Sequence, residues 1–130
     1  MKVLALGGSG GMGRFAVETS MHFENIDRIV VADLNGDAAI DFAKSMNDKV
    51  AGIGLDVTNL DALKEQMEHA DVVINTVGPF FKYGTPILQA ALDSGCDYLD
   101  INDDWEPTLN MLEFHEKAEN NSKTAILGMG

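Results

Sequence analysis

Cysteine is almost missing from this sequence, and positive charge is scarce. The 130 residues include one cysteine, Cys96, and nine lysines and arginines against 21 aspartates and glutamates. A single cysteine excludes an internal disulfide and a cysteine metal cluster, as is usual for cytoplasmic proteins. The formal net charge of −12 argues against a nucleic acid or an anionic membrane surface as partner.

Long apolar runs are also missing. The apolar stretches are a few residues long, whereas a membrane-spanning helix needs about 20. Met1 and Lys2 lead directly into a strand-like run, which does not resemble a secretory signal. We therefore expect a cytoplasmic protein without a membrane anchor. With 45% hydrophobic and 23% charged residues and no low-complexity tract, the composition is that of one ordinary globular domain.

Short apolar runs alternate with longer amphipathic segments along the whole chain. Six runs are predicted strands: Val3–Leu6, Ile29–Ala32 followed by Asp33, Val50–Leu55, Val72–Val77, Tyr98–Ile101 and Thr124–Leu127. Five segments are predicted helices: Met12–Phe23, Asp37–Met46, Leu60–His69, one from Thr85-Pro86 to Gly95, and one beginning at Glu106-Pro107. Near-continuous hydrophobicity is typical of parallel strands covered on both faces.

This strict strand–helix order predicts an α/β fold. We expect a doubly wound, parallel, six-stranded sheet in the order 3-2-1-4-5-6, with helices on both faces and right-handed crossovers. The spacing within the first helix places Phe15, Ala16, Thr19 and Phe23 on one face.

A glycine-rich turn follows the first predicted strand. Gly8, Gly10 and Gly13 fit the pattern G-x-G-x-x-G between a strand and a helix, and Ser9, Gly11 and Met12 complete the turn. Such glycines permit a sharp turn, let a pyrophosphate approach the backbone, and let the helix pack closely on the strand. The free N–H groups of the helix would then face the diphosphate. The turn therefore predicts a dinucleotide site of the Rossmann type, with a merely flexible loop as the alternative.

Asp33 ends the second predicted strand, 20 residues after Gly13. There its carboxylate can accept hydrogen bonds from the adenosine ribose of NAD. A 2′-phosphate would meet that negative charge, and Leu34 and the two residues after it supply no arginine, so the sequence favours NAD over NADP. Arg14 in the first helix is the residue that opposes this preference. The alternative for Asp33 is a charge at the start of the next helix.

Two further strand ends are predicted to face the same crevice. Asp56 and Val57 follow the third strand, where they would flank an adenine ring, unless Asp56 only caps the turn toward Asn59. Asn75, Thr76, Val77, Gly78 and Pro79 close the fourth strand, where Gly78 and Pro79 would shape a loop beneath the nicotinamide ribose, unless the segment is a purely structural turn. Both positions lie at the carboxyl edge of a parallel sheet, where ligands bind in this class of fold.

Other polar groups give weaker signals. Four carboxylates surround Tyr98 and Trp105 and could bind a substrate amino group or assist a proton transfer: Asp97, Asp100, Asp103 and Asp104. They lack histidine and any recognised metal-ligand spacing, so no metal site is predicted. The histidines are predicted surface residues (His22, His69 and His115), and Cys96 a small core residue. No catalytic residue is assigned.

Several segments together resemble the N-terminal part of the saccharopine dehydrogenase-like oxidoreductases. They are the glycine turn Gly7–Gly13, Val77–Phe80 with Tyr83-Gly84 and Pro86, Gly95–Asp100, and the closing Gly128–Gly130. The glycine turn is shared with many dinucleotide-binding proteins, whereas G-P-F…Y-G-x-P and G-x-x-Y-x-D are more specific. The resemblance spans nearly the whole chain.

The resemblance implies an NAD(P)-dependent enzyme acting on a secondary amine made from an amino acid and a keto acid. It implies that residues 1–130 are the NAD(P)-binding domain, while a further domain, absent from this chain, binds substrate and forms a homodimer. The chain alone is then expected to be inactive. The alternative is an NAD-sensing regulatory domain without turnover. A self-sufficient short-chain reductase is disfavoured because no Tyr-x-x-x-Lys pair occurs: Ile87 follows Tyr83 at that spacing, and Asn102 follows Tyr98.

Overall fold

The computed structural model describes residues 1–129, so Gly130, which closes the last motif, lies outside the described residues. Strands and helices alternate up to the fifth helix, which a sixth helix follows directly. Their bounds are β1 Lys2–Leu6, α1 Gly11–Ser20, β2 Arg28–Asp33, α2 Gly36–Lys44, β3 Val50–Gly54, α3 Leu60–Met67, β4 Val72–Asn75, α4 Phe80–Asp93, β5 Asp97–Asp100, α5 Trp105–Leu112, α6 His115–Asn120 and β6 Ala125–Ile126.

The six strands form one parallel sheet in the order β3-β2-β1-β4-β5-β6. β1 lies at the centre, where Leu6 is opposite Ala32 of β2 on one side and Asn75 of β4 on the other. Strand order reverses between β1 and β4, so the connections leaving these two strands diverge and open a crevice at their carboxyl ends. The predicted fold class and strand order are confirmed.

Side chains of β1 alternate between two separate cores. Val3 and Ala5 pack in a cluster with residues of α1 and α2, whereas Leu4 and Leu6 pack in a second cluster with residues of α3 to α6. Successive side chains of a strand point to opposite faces, so both faces of the sheet are covered by helices. Among residues 1–129, no helix is long and apolar enough to cross a membrane.

The buried face of α1 differs from the predicted one. Phe15 is 67% exposed and Phe23, beyond the end of the helix, is 53% exposed. The helix instead buries Gly13, Val17 and Ser20, which share one face at helical spacing. Because Gly13 has no side chain, this face of small residues approaches the sheet more closely than an aromatic face could.

Two helix boundaries also differ from the prediction. α4 begins at Phe80 rather than Thr85, with Pro79 as N-cap and the exposed Pro86 inside the helix. The predicted last helix consists of α5 and α6, because Glu113 and Phe114 donate to carbonyls three residues back rather than four. That tighter turn redirects the chain, so the described residues contain six helices rather than five.

Candidate functional site

A cleft of about 370 Å³ lies at the carboxyl ends of the central strands. Its lining comes from the residues that end or follow four neighbouring strands, with one side chain from α4: Gly7, Gly10, Ala32, Asp33, Leu34, Leu55, Asp56, Val57, Thr58, Thr76, Val77, Gly78 and Tyr83. The cleft therefore lies at the switch point of the sheet, where this class of fold binds its ligands. Eight of the fourteen predicted site residues line it: Gly10, Asp33, Leu34, Asp56, Val57, Thr76, Val77 and Gly78.

A larger groove of about 720 Å³ lies elsewhere, between α4, α5, α6 and β6. Its walls are mainly apolar, and none of the predicted site residues lines it. We place the functional site in the smaller cleft, because that is where the strand ends and the glycine turn meet.

The glycine turn opens toward this cleft at Gly10. Gly10 is the exposed N-cap of α1, with φ −75° and ψ 174°, and an added Cβ would meet only the carbonyl oxygen of Gly7, at 3.3 Å. Gly7 itself has φ +70°, and a Cβ there would lie 2.9 Å from Oγ1 of Thr76. Gly7 lines the cleft but was not among the predicted site residues, and its left-handed conformation brings the turn close to Thr76, which follows β4.

Gly8 and Gly13 face inward instead. A Cβ on Gly8 would lie 2.9 Å from the carbonyl oxygen of Ala5, and one on Gly13 would lie 2.6 Å from Cα of Gly8. These two glycines thus allow the close helix–strand packing that the motif predicts. Gly11 and Met12 form the exposed first turn of α1 and do not line the cleft.

The N-terminus of α1 differs from those of α2 and α3. Asn35 caps α2 by accepting from the N–H of Ala38 at 3.1 Å, and Asn59 caps α3 by accepting from Ala62 at 3.2 Å. α1 has no side-chain cap and no acidic residue in its first turn. Its N-terminal N–H groups and the positive end of its dipole are thus left for an external anion, as a diphosphate site requires.

Asp33 faces the glycine turn and does not cap α2. Its Oδ2 accepts a hydrogen bond from the Ser9 hydroxyl at 2.6 Å, and its Oδ1 accepts from the N–H of Asn35 at 3.3 Å. The acidic residue in the first turn of α2 is Asp37. The half-buried carboxylate of Asp33 therefore lines the cleft, and its binding to the adenosine ribose stays a prediction.

Asp56 stabilises the turn toward Asn59 and also lines the cleft, and its place beside an adenine ring stays a prediction. Its Oδ1 accepts from the N–H of Thr58 at 2.9 Å and from the Thr58 hydroxyl at 2.6 Å, while Asn59 caps the helix. Both hydrogen bonds lower the pKa of the Asp56 carboxyl below its usual value, and the bond from the Thr58 hydroxyl has the larger effect. Asp56 and Val57 also line the cleft, so an anchored carboxylate and an aliphatic side chain lie together at its β3 end.

The segment after β4 forms the opposite wall. The N–H and the hydroxyl of Thr76 both donate to the carbonyl oxygen of Leu6, at 3.0 and 2.8 Å. Gly78 is exposed at the cleft, whereas Pro79 is the N-cap of α4 and does not line it. Tyr83 lines the cleft but was not predicted, because the helix that presents it was expected to begin at Thr85.

The carboxylates near β5 do not form one cluster. Asp100 is fully buried, Asp103 and Asp104 are exposed, and Asp97 accepts from the N–H of Thr124 at 2.8 Å. Asp97 and Asp100 are three residues apart on one strand and so point to opposite faces. The predicted grouping of the four carboxylates around Tyr98 and Trp105 is therefore wrong.

The buried Tyr98 lies beside Asp100. Burial and the neighbouring carboxyl raise the pKa of the Tyr98 phenol far above its usual range. Trp105, by contrast, is 75% exposed. Tyr98 and Trp105 therefore do not share one site.

The histidines and the cysteine are where the sequence predicted them. His22, His69 and His115 are exposed. Cys96 is fully buried, its thiol lies 3.2 Å from the carbonyl oxygen of Met67, and burial raises its pKa to about 11. A thiol with so high a pKa remains protonated and unreactive at neutral pH.

These features define a class of protein. A doubly wound parallel sheet, a glycine turn opening on an uncapped helix, and an acidic residue at the end of β2 are the elements of a dinucleotide-binding domain. The chain belongs to the family described as the saccharopine dehydrogenase NADP-binding domain, whose model matches residues 3–126. The resemblance seen in the sequence is thereby confirmed, and the cofactor of this domain is a nicotinamide dinucleotide.

Curated relatives are oxidoreductases much longer than this chain. It is 28% identical over 141 residues to a protein of Arabidopsis thaliana named probable mitochondrial saccharopine dehydrogenase-like oxidoreductase, covering 98% of the chain and 31% of the relative. It is 36% identical over 77 residues to the human saccharopine dehydrogenase-like oxidoreductase, covering 57% of the chain and 18% of the relative. The trans-acting enoyl reductase of Mycobacterium tuberculosis is 25% identical over 132 residues, with 98% and 32% covered. The chain thus spans a third or less of these relatives.

Solved structures share the fold. Apo saccharopine dehydrogenase (L-Glu forming) from Saccharomyces cerevisiae superposes with a TM-score of 0.82 at 23% identity, covering 99% of this chain and 27% of that one. The RhlG/NADP complex of Pseudomonas aeruginosa superposes with a TM-score of 0.72 at 11% identity, and the match covers 97% of this chain and 69% of that one. At these identities the likeness establishes the architecture alone.

Proposed function

We propose that this chain holds NAD across the strand-end cleft and orients it for hydride transfer with a secondary amine formed from an amino acid and a keto acid. The observation that carries the proposal is the open cradle at Gly10, between the uncapped N-terminus of α1 and the carboxylate of Asp33. The dinucleotide supplies the hydride chemistry. The chain's own residues bind the diphosphate at the glycine turn, fix the adenosine ribose at Asp33 and form the wall opposite it at Thr76 and Val77.

NAD rather than NADP is our proposed cofactor. The Ser9 hydroxyl holds the Asp33 carboxylate at the cleft, where it would repel a 2′-phosphate. Two observations favour NADP instead. The family's description names NADP, and Arg14 lies beside the turn, with its Nε donating to the carbonyl oxygen of Ser9 at 2.6 Å and its guanidinium 4.7 Å from the centre of the Phe42 ring.

The names of the plant and human relatives support the secondary amine as substrate class. The name of the mycobacterial relative supports a second candidate reaction, the reduction of an enoyl group. Both reactions require the substrate to be held against the nicotinamide ring. We propose that parts of the protein outside this chain do so and form a homodimer, and that the 130 residues alone show no turnover. An NAD sensor without turnover is the alternative function. We further propose a cytoplasmic location, although the name of the plant relative is mitochondrial.

Calorimetric titration of the chain with NAD⁺ and NADP⁺ tests the cofactor proposal. We expect NAD⁺ to bind more tightly, and Gly10→Val to abolish binding of both while leaving the urea unfolding midpoint nearly unchanged. The valine fits the extended backbone of Gly10 but occupies the space for the diphosphate. Thr19→Val, on the exposed side of the same helix, is the control. Unchanged binding by Gly10→Val would place the diphosphate elsewhere.

Turnover separates the enzyme from the sensor. Amine-dependent NADH formation is measured with the protein encoded by the complete gene and with the 130-residue chain. We expect activity only in the longer protein. Activity of the short chain above a heat-inactivated control would refute the need for another domain, and reduction of an enoyl substrate but no amine oxidation would favour the second candidate.

A further inference from the structure

A series of hydrogen bonds links the wall of the cleft after β4 to the end of β5. The N–H of Val77 donates to Oδ1 of Asn75 at 3.0 Å, and Nδ2 of Asn75 donates to the Tyr98 hydroxyl at 3.0 Å. The Tyr98 hydroxyl donates to Oδ2 of Asp100 at 2.8 Å. Each group in this series donates to the next, so the orientation of the Asn75 amide is defined by both of its neighbours.

Asp100, at the far end of this series of hydrogen bonds, also bonds to two backbone segments. Its Oδ1 accepts from the N–H of Asn102 at 3.0 Å and from the N–H of Gly128 at 2.9 Å. Its carbonyl oxygen accepts from the N–H of Met129 at 2.8 Å. The carboxylate therefore joins the end of β5 to the segment that follows β6.

The three side chains are removed from solvent. Asn75 and Asp100 are 0% exposed and Tyr98 is 1% exposed, so none of them contacts a ligand in the cleft directly. Burial of an amide and a carboxylate is costly unless every polar atom is paired, and here the hydrogen bonds satisfy them. The side chains thus form a fully paired hydrogen-bond network, and it reaches the cleft lining through the bond from the N–H of Val77 to Asn75.

We infer that Asn75, Tyr98 and Asp100 are positioning residues for the nicotinamide half of the site, acting through the backbone of Val77. This inference rests on the proposed function. The two halves of such a sheet each receive one mononucleotide, so a ligand whose adenosine lies at Asp33 extends its other half toward β4. Thr76 is bonded to β1 and Val77 is bonded through Asn75 to β5, so this wall of the cleft is held from both sides.

A comparison of two ligands tests the inference. NAD⁺ reaches both halves of the cleft, whereas ADP occupies only the adenosine and diphosphate positions. We expect Tyr98→Phe to weaken NAD⁺ binding by about tenfold and ADP binding by less than about twofold. Leu63→Ala, a fully buried residue of α3 outside the network, lowers stability and serves as control, because it should leave the ratio of the two affinities unchanged.

Hydrogen exchange supplies a measurement on the unmutated chain, should Tyr98→Phe fail to fold. NAD⁺, but not ADP, is expected to increase protection of the Gly128 N–H, which lies at the far end of the network and not in the cleft lining. Equal loss of NAD⁺ and ADP affinity, no loss of either, or equal protection of Gly128 by both ligands would overturn the inference. Failure of the unmutated chain to bind either ligand would refute the proposed function itself.

Discussion

The polar side chains at the strand ends differ between the β1–β3 and β4–β6 halves of the sheet in their exposure and in their hydrogen-bond partners. In the first, Asp33 and Asp56 remain accessible at the cleft and bond mainly to residues close by in the chain or in the glycine turn. In the second, Asn75 and Asp100 are fully buried, and each bonds to one distant partner, Tyr98 and Gly128 respectively, besides partners two residues away. Side chains at similar strand-end positions thus line the cleft in one half and hold the backbone in place in the other.

The largest effect is expected from the packing beneath the glycine turn. Gly13→Ala should destabilise the fold by about 3 kcal/mol or more, because its Cβ would enter the space of Gly7 and Gly8, whose backbone cannot yield easily. Gly11→Ala is the control, since its Cβ meets nothing within 4 Å. Urea unfolding monitored by circular dichroism measures both, and equal midpoints would show that the turn is not tightly packed.

Removing one carboxylate from each half compares the halves directly. Asp100→Ala should cost about 3 kcal/mol, because it leaves the Tyr98 hydroxyl and the N–H groups of Asn102 and Gly128 without their acceptor. Asp33→Ala should lower the free energy of unfolding by only about 1 kcal/mol, since water can accept the hydrogen bonds that the Ser9 hydroxyl and the Asn35 N–H now donate to Asp33. Denaturant unfolding of both variants gives the difference, and a reversed order of the two costs would contradict the comparison.

Alkaline pH should act on the β4–β6 half. The pKa of Cys96 is raised by burial from 9.0 to about 11 in the folded chain, so above pH 9 the unfolded chain releases the thiol proton first. Stability is thus fully present below pH 9 and falls by about 2 kcal/mol toward pH 11. Cys96→Ala should flatten this decline in urea titrations at several pH values. An unchanged slope in the variant would assign the decline to other groups, such as the buried Tyr98.

The smallest effect expected is on cofactor preference in the β1–β3 half. Asp33→Asn removes the negative charge that the proposed binding mode places at the adenosine ribose, and it should shift the ratio of NAD⁺ to NADP⁺ affinity about tenfold toward NADP⁺. Calorimetry measures the ratio. Arg14→Gln is the companion variant, because a selective loss of NADP⁺ binding there would show that Arg14, rather than Asp33, decides the preference.

Sequence reasoning described the β1–β3 half better than the β4–β6 half. The glycine turn, Asp33 and Asp56 were predicted at the cleft because each ends or closely follows a strand, and in a parallel sheet all such positions meet at one edge. Tyr83 was missed because α4 begins earlier than Thr85-Pro86 suggested. The buried series from Asn75 to Asp100 was missed because nothing local distinguishes a carboxylate that enters the core from one that faces water.

By itself the sequence determined the order of strands and helices, the parallel sheet and the glycine turn, since these depend on hydrophobic spacing and on glycine at fixed offsets. Only the tertiary structure decided which face of α1 is buried, which carboxylates reach the cleft, and that Tyr98 bonds to both Asn75 and Asp100. The physical reason is distance along the chain. Local patterns reflect backbone geometry, whereas a buried polar group is tolerated only when partners from distant strands arrive to satisfy it.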